Sequence, residues 1–208
     1  MDTHHRMLLE SLANTISDYR QTDICSITPI HVERWLKQFD LADQPIILAE
    51  LDSIMKRFYF SQVRIRECIR TFLKNTLIGN QDPIKLLSHV CFLNIQKVGS
   101  SQGALLNIVD EVLLQEYGFT LAMTGTEKLE TYVYMDDGIY TGSTLRYDLT
   151  NGINTIGWLS YCPSPGCTLW VYTIAGHTQG ISYARRYIRD AAKEKQIEVK
   201  RVTHITDQ

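Results

Sequence analysis

The chain has 208 residues, of which 44% are hydrophobic and 21% charged, so it can bury a sizeable core and a disordered chain is excluded. Its formal charge of −2 at pH 7 gives no general affinity for nucleic acid or acidic membranes. There is no apolar run of about 18 residues, no signal-peptide plan at the start, and no CxxC pair among the cysteines. We therefore expect a cytoplasmic protein without a membrane segment.

The first part of the chain, residues 1–80, has apolar residues at the helical period and is predicted to form a helical segment or bundle. Thr28 and Pro29 are a plausible helix start. A later helix carries Arg66, Arg70 and Lys74 at four-residue spacing. Such a row is most often a solvated face, and a contact with nucleic acid is the alternative.

After the turn residues 79–83, strand-like runs alternate with helical stripes. The strands are predicted at 87–95, 130–135, 168–175 and 197–202, and the helices at 104–117, up to about 159, and 181–195. This order predicts an α/β fold over residues 81–208, with a parallel sheet and flanking helices. Ligands bind beyond the carboxyl ends of such strands, so segments 99–103, 136–144 and 176–180 are expected to converge on one crevice.

Residues 132–144 carry the clearest chemical pattern. An apolar strand leads to two adjacent carboxylates, Asp136 and Asp137, and then to a small-residue loop where a helix is predicted to begin. A helix N-terminus has unpaired N–H groups and a partial positive charge, which suits a phosphate dianion. Carboxylates suit sugar hydroxyls or Mg²⁺. The pattern predicts a site for a phosphorylated sugar, with the loop formed by Thr141, Gly142, Ser143 and Thr144.

Two other interpretations of these residues stay open. A strand followed by a capped helix, with two exposed aspartates, gives the same pattern without any ligand. Residues 134–137 also spell Tyr-Met-Asp-Asp, the acidic motif of reverse transcriptases. In those enzymes the chain returns as a strand, whereas turn and helix-start residues follow here, so the polymerase interpretation is disfavoured.

The acidic motif resembles the signature of the phosphoribosyltransferase family. That signature consists of an apolar strand, an acidic pair and then Thr-Gly-x-Thr. The resemblance implies a type I phosphoribosyltransferase-like, Rossmann-like fold. It also implies that Asp136 and Asp137 hold the ribose hydroxyls of phosphoribosyl pyrophosphate, act in catalysis and bind Mg²⁺, and that the 141–144 loop holds the 5-phosphate. Tyr134, Gly138 and Tyr140 depart from the family pattern and leave the standard ribose geometry and reaction open.

Two further segments are site candidates. In the family, the loop after an earlier strand grips the pyrophosphate, and by order and small size the matching residues are Gly99, Ser100, Ser101 and Gly103. A Gly-Ser loop can equally be a plain turn. His177, beside two glycines at a predicted strand end, is a candidate catalytic residue for proton transfer or phosphate binding, and it could equally bond a neighbouring loop.

A wider resemblance covers most of the chain. Trp35-x-x-x-Phe39, the Gly-Ser-Ser-x-Gly loop, the acidic motif and Ala-Gly-His-Thr-x-Gly at 175–180 are similar to phosphoribosyltransferase-like proteins of bacterial antiphage defence clusters, some beside retron reverse transcriptases. This implies a defence effector that binds phosphoribosyl pyrophosphate or a nucleotide with Mg²⁺, transfers or cleaves at the ribose anomeric carbon, and has a protein partner. The alternative is a sensor of the same fold that binds without turnover, with a protein or nucleic-acid partner.

Overall fold

The structure, a computed structural model, describes residues 3–19, 27–97, 100–150, 157–160 and 166–207. The chain divides into two compact units, Met1–Ile65 and Arg66–Gln208. The domain limits predicted from the sequence, 1–80 and 81–208, stay a prediction, and residues 66–80 lie in the second unit. Within the described ranges, no helix combines the length and apolar character that crossing a membrane requires.

The first unit is helical, with α1 (Thr3–Thr15), α2 (Pro29–Leu36), α3 (Gln44–Phe58) and the start of α4 (Gln62–Thr71). Helix α2 begins where the sequence predicts, because Thr28 and His31 form a capping box and Pro29 occupies the first helical turn. Apolar residues of α1, α2 and α3 form the core of this unit: Leu9, Leu12, Ala13, Val32, Leu36 and Leu48.

In the second unit, α4 continues into a π-helix (Phe72–Ile78), followed by α5 (Pro83–Leu87), β1 (Val90–Phe92) and α6 (Ser101–Tyr117). Next come β2 (Thr131–Ile139), α7 (Ser143–Leu149), β3 (Thr168–His177), α8 (Thr178–Glu194) and β4 (Glu198–Asp207). All the strand pairs are parallel and the sheet order is β1-β2-β3-β4, so the predicted parallel α/β sheet is confirmed. Parallel pairing brings the carboxyl ends of the strands to one edge.

Several predicted boundaries are wrong. Strand β1 is much shorter than 87–95, because Asp82 caps α5 through the Lys85 N–H and that helix takes up residues to Leu87. Strand β2 continues through the acidic pair, since its pairing with β3 extends to Ile139 and Gly176. Helix α7 ends at Leu149 rather than near 159, because the backbone is extended at the next residue.

The segments 99–103 and 176–180, which were predicted to be loops, contain the starts of helices. Helix α6 starts at Ser101 and helix α8 at Thr178, so most of the predicted GSSQG and GHTQG loops belong to strand ends and first helical turns. The two arginines of the predicted basic row, which lie on α4, are also ion-paired. Arg66 forms an ion pair with Glu111 at 2.7 Å, and Arg70 forms ion pairs with Glu67 and Glu116, each at 2.7 Å.

One face of the sheet packs against α7 and α8. Tyr132 and Tyr134 of β2 lie level with Leu169 and Val171 of β3 and share a buried cluster with both helices. The helical members of this cluster are Leu145, Leu149, Ile181, Ala184, Ile188 and Ala192. Because side chains alternate along a strand, Asp136 continues the Tyr132 and Tyr134 row at its carboxyl end.

Candidate functional site

A cavity of about 190 Å³ opens at the carboxyl end of β2. Its walls come from the end of that strand, the connection to α7, the first turn of α7, the segment after β1 and the start of α6. The lining residues are Gln96, Ser101, Asp136, Asp137, Gly138, Ile139, Tyr140, Thr141, Gly142, Thr144 and Leu145. The cavity is smaller than the roughly 300–1,000 Å³ of ligand pockets in general, so its size suits the sugar phosphate part of a ligand, and the rest of a larger ligand would lie outside it.

The two acids of the pair have different surroundings. Asp136 is 5% exposed, and its Oδ1 accepts hydrogen bonds from the Ser101 hydroxyl at 3.1 Å and from the Asp137 N–H at 2.9 Å. Asp137 is exposed. Burial, followed by the proximity of the Asp137 carboxylate, raises the pKa of Asp136 from 3.8 to about 6. Asp137 is therefore the carboxylate of the pair that is open to solvent at the cavity.

Asp136 belongs to a polar cluster with Gln96, Tyr134 and Asp148. The Tyr134 hydroxyl lies 2.7 Å from Asp148 Oδ2 and 3.2 Å from Asp136 Oδ2. The Gln96 amide nitrogen lies within 3.2 Å of all three oxygens. Burial and the two carboxylates raise the pKa of Tyr134 far above its ordinary value, so its hydroxyl stays protonated and acts as a donor.

Gln102, which is fully buried on α6, fixes the segment that carries Gln96. Its side-chain oxygen accepts hydrogen bonds from the backbone N–H groups of Ile95 at 2.8 Å and Gln96 at 3.0 Å. Its amide nitrogen donates to the carbonyl of Met135 at 3.2 Å. One side chain thus joins the segment after β1 to the residue that precedes the acidic pair.

The small-residue loop precedes α7 as predicted. Gly142, with φ of +76°, is the N-cap residue, and this backbone conformation favours glycine. The Ser143 N–H donates to the Thr141 hydroxyl at 3.3 Å. Thr141 and Thr144 are exposed and line the cavity, so two hydroxyl-bearing residues near the start of a helix border the same space as Asp137.

The structure brings part of the predicted site together. Lining the cavity are both acids, three residues of the predicted phosphate loop and one of the predicted pyrophosphate loop: Asp136, Asp137, Thr141, Gly142, Thr144 and Ser101. Ser143, Ser100, Gly103 and His177 are described but are not among the lining residues, and Gly99 lies outside the described residues. His177 is exposed at the end of β3, where it is the N-cap residue of α8.

The exposed acid of the pair, Asp137, fits a metal ion that is shared with a ligand. Among the described residues, no group of three or more His, Cys, Asp or Glu side chains could hold a metal by itself. Mg²⁺ is commonly bound by one or two carboxylates together with substrate phosphates. The exposed Asp137 carboxylate can be one of them, whereas Asp136 is buried and already has donors at both oxygens. Carboxylate oxygens are hard ligands of the type that Mg²⁺ prefers.

Sequence reasoning missed two residues that shape this site, Gln96 and Asp148, whereas Gly180 lies in the 176–180 segment that was expected at the crevice. A backbone approach explains Gly180, because a Cβ there would overlap the carbonyl oxygen of Tyr140. Tyr134 offered a signal, since a buried tyrosine in an apolar strand needs a partner for its hydroxyl. No pattern in the sequence indicated which residue that partner would be.

Comparison with known proteins identifies a family. The family model PRTase-CE matches residues 32–208, which is most of the chain. No curated protein and no solved structure is significantly similar to the chain.

Proposed function

The chain belongs to the PRTase-CE family, a phosphoribosyltransferase-like family, and on this premise we propose that the cavity at the end of β2 binds a phosphoribosyl compound with Mg²⁺. Phosphoribosyl pyrophosphate or a nucleotide is the proposed ligand, and the ribose anomeric carbon is the proposed reaction centre. One observation carries the proposal: the acidic pair and the hydroxyl-rich start of α7 face one cavity in a chain of this family.

The two ends of a sugar phosphate match the two sides of the cavity. The hydroxyls of Thr141 and Thr144 suit the 5-phosphate, because they can donate hydrogen bonds to its oxygens. The exposed carboxylate of Asp137 suits the ribose hydroxyls as an acceptor. Ser101 also lines the cavity, where its hydroxyl oxygen can accept a hydrogen bond while its proton is donated to Asp136 Oδ1.

Charge supports the requirement for a cation. The described lining contains two carboxylates and no Lys, Arg or His. Phosphate groups beside carboxylates repel them strongly in a partly buried site, so an anionic ligand needs a counter-ion there. Bound Mg²⁺ would neutralise charge on the phosphates and on a departing pyrophosphate.

Turnover would depend on placement and electrostatics. An oxocarbenium-like transition state carries positive charge on the sugar, and the Asp137 carboxylate at the cavity stabilises such charge. The loop at the start of α7 holds the 5-phosphate end and so fixes the sugar. His177 lies outside the lining, so its proposed role requires a ligand that reaches the end of β3. The effector role in antiphage defence belongs to the same proposal and is supported by the resemblance alone.

A second candidate function is binding without turnover. Asp136 is almost fully buried and its two oxygens already have donors within the protein, which leaves one open carboxylate where the family pattern has two. Tyr140 is 81% exposed beside the loop, where the family has a small residue. Both features favour a sensor that holds the ligand in a ribose geometry unlike that of a transferase.

Pyrophosphate release distinguishes the two candidates. Wild type and Asp137→Asn are incubated with phosphoribosyl pyrophosphate, Mg²⁺ and pooled bases and nucleotides, and Asp190→Asn, an exposed change on α8, is the control. A transferase or hydrolase releases pyrophosphate or alters a nucleotide in wild type and in the control but not in Asp137→Asn. Tight binding without any product in wild type refutes turnover and leaves the sensor. If wild type neither binds nor reacts, both candidates are wrong.

A further inference from the structure

Both carboxylate oxygens of Asp136 have hydrogen-bond donors within the protein. Oδ1 accepts from the Ser101 hydroxyl at 3.1 Å and the Asp137 N–H at 2.9 Å, while Oδ2 lies 3.2 Å from both the Gln96 amide nitrogen and the Tyr134 hydroxyl. A carboxylate has about four lone-pair sites in total. With 5% of its surface exposed, Asp136 has little capacity left for an incoming ligand.

The same donors also hold a second carboxylate. Asp148 Oδ2 lies 2.7 Å from the Tyr134 hydroxyl and 3.0 Å from the Gln96 amide nitrogen. Tyr134 has one hydroxyl proton and Gln96 has two amide protons, and these must serve Asp136 Oδ2, Asp148 Oδ2 and the Tyr134 oxygen. Removal of the hydroxyl therefore changes the hydrogen bonding of both carboxylates at once.

Asp148 and Tyr134 lie on two different elements that both border the cavity. Asp148 lies on α7, one turn after Thr144, which lines the cavity from the start of the same helix. Tyr134 lies on β2, two residues before Asp136 and on the same face of the sheet. The cluster thus links the helix that follows the phosphate loop to the strand that carries the acids.

We propose that Gln96, Tyr134 and Asp148 are positioning residues that fix the Asp136 carboxylate relative to α7, and that Asp137 alone of the pair contacts the ligand. The identity of that ligand rests on the proposed function, whereas the positioning role does not. Tyr134 is one of the residues at which the sequence departs from the family motif. In this proposal its hydroxyl links the Asp136 and Asp148 carboxylates.

Tyr134→Phe tests the positioning role without any ligand. In full-length protein labelled with ¹³C at the aspartate carboxyl groups, we expect the Asp136 and Asp148 signals to move together in this variant. Tyr132→Phe is the matched control, because Tyr132 is buried on the same face of β2 and packs edge-on against Trp158 at 4.7 Å. The control is expected to leave both signals in place. Unchanged signals in Tyr134→Phe, or an equal change in the control, overturn the positioning role.

Ligand affinity tests the division between the acids. In calorimetry with phosphoribosyl pyrophosphate and Mg²⁺, Asp137→Asn is expected to bind about tenfold or more weakly, and Tyr134→Phe about two- to tenfold more weakly. If Tyr134→Phe folds poorly, Gln96→Ala takes its place, because Gln96 lies outside the sheet core. This variant is also expected to bind about two- to tenfold more weakly than wild type. A larger loss in Asp136→Asn than in Asp137→Asn contradicts the division. If wild type binds no phosphoribosyl compound, the proposed function fails, and the carboxyl signals still decide the positioning role.

Discussion

Gly142 and Gly180 lie in backbone contact, so that a Cβ atom on Gly142 would overlap the carbonyl oxygen of Gly180. The contact joins the loop before α7 to the first turn of α8, two segments that follow neighbouring strands. A Cβ on Gly180 would in turn overlap the carbonyl oxygen of Tyr140. The shape of the predicted phosphate loop therefore depends on a glycine in the following helix.

Gly180→Ala should move this loop. We expect the free energy of unfolding to fall by about 1–3 kcal/mol, as for an overpacked site, and ligand binding to weaken because Thr141 shifts. Gly103→Ala is the matched control, since Gly103 is also the third residue of its helix and a Cβ there would meet nothing within 4 Å. Alanine favours a helix interior, so the control should be neutral or slightly stabilised. Urea unfolding of both variants checks this, and equal stability would refute the close contact.

The pH dependence of stability should report on Asp136. Its pKa of about 6 in the folded protein exceeds its ordinary value of 3.8, so between about pH 4 and pH 6 the folded state holds more protons than the unfolded chain. The contribution of this group to the free energy of unfolding therefore falls as pH rises through that window, by at most about 3 kcal/mol. Asp136→Asn cannot titrate and should lack this fall. Unfolding curves at pH 4.5 and pH 7, without Mg²⁺, measure the difference, and parallel pH profiles for the two proteins would contradict it.

Removal of Mg²⁺ should weaken the binding of phosphoribosyl pyrophosphate. The described cavity lining has two carboxylates and no basic side chain, so the phosphates are repelled without a cation. We expect calorimetric affinity to fall by about tenfold or more when EDTA replaces Mg²⁺. Asp137→Asn should depend less on Mg²⁺, because it removes one of the repelling charges. Equal affinity of wild type in both buffers would argue against a shared metal site.

The basic row that runs from α4 into the π-helix, Arg66, Arg70 and Lys74, should contribute little to nucleic-acid binding. Arg66 and Arg70 are already ion-paired with glutamates of the same unit, which leaves Lys74 as the remaining cation of that row. The measurement is the anisotropy of a labelled oligonucleotide at low salt. Wild type and a triple variant, with Arg66, Arg70 and Lys74 changed to Gln, should give the same result. A steep salt dependence that disappears in the triple variant would restore the nucleic-acid interpretation.

The sequence predicts the α/β order well because periodicity is a local property. The strand predicted at 168–175 extends only two residues further in β3, and the acidic motif leads to a helix start as expected. Boundaries were predicted less well where local signals overlap. The apolar run at 87–95 resembles one strand, yet Asp82 and Pro83 start a helix that takes its first residue.

The support of the site could not be predicted, because it depends on tertiary contacts. Asp148 is twelve residues after Asp136 and reaches Tyr134 only because α7 packs on that face of the sheet. Gly180 contacts a loop nearly forty residues earlier only because β2 and β3 are neighbours. A single sequence gives the spacing of residues along an element but not which side chains of neighbouring elements meet.

Binding of phosphoribosyl pyrophosphate to wild type and to Asp137→Asn, with Mg²⁺ present, tests the central proposal most directly. Asp137 is the exposed acid at the cavity, and replacing it with asparagine removes a charged acceptor while preserving its size. Loss of a hydrogen bond to a charged group corresponds to about tenfold or more in affinity. The proposal predicts saturable binding to wild type and at least that loss in Asp137→Asn. Absence of binding to wild type, or equal binding to the two proteins, would contradict it.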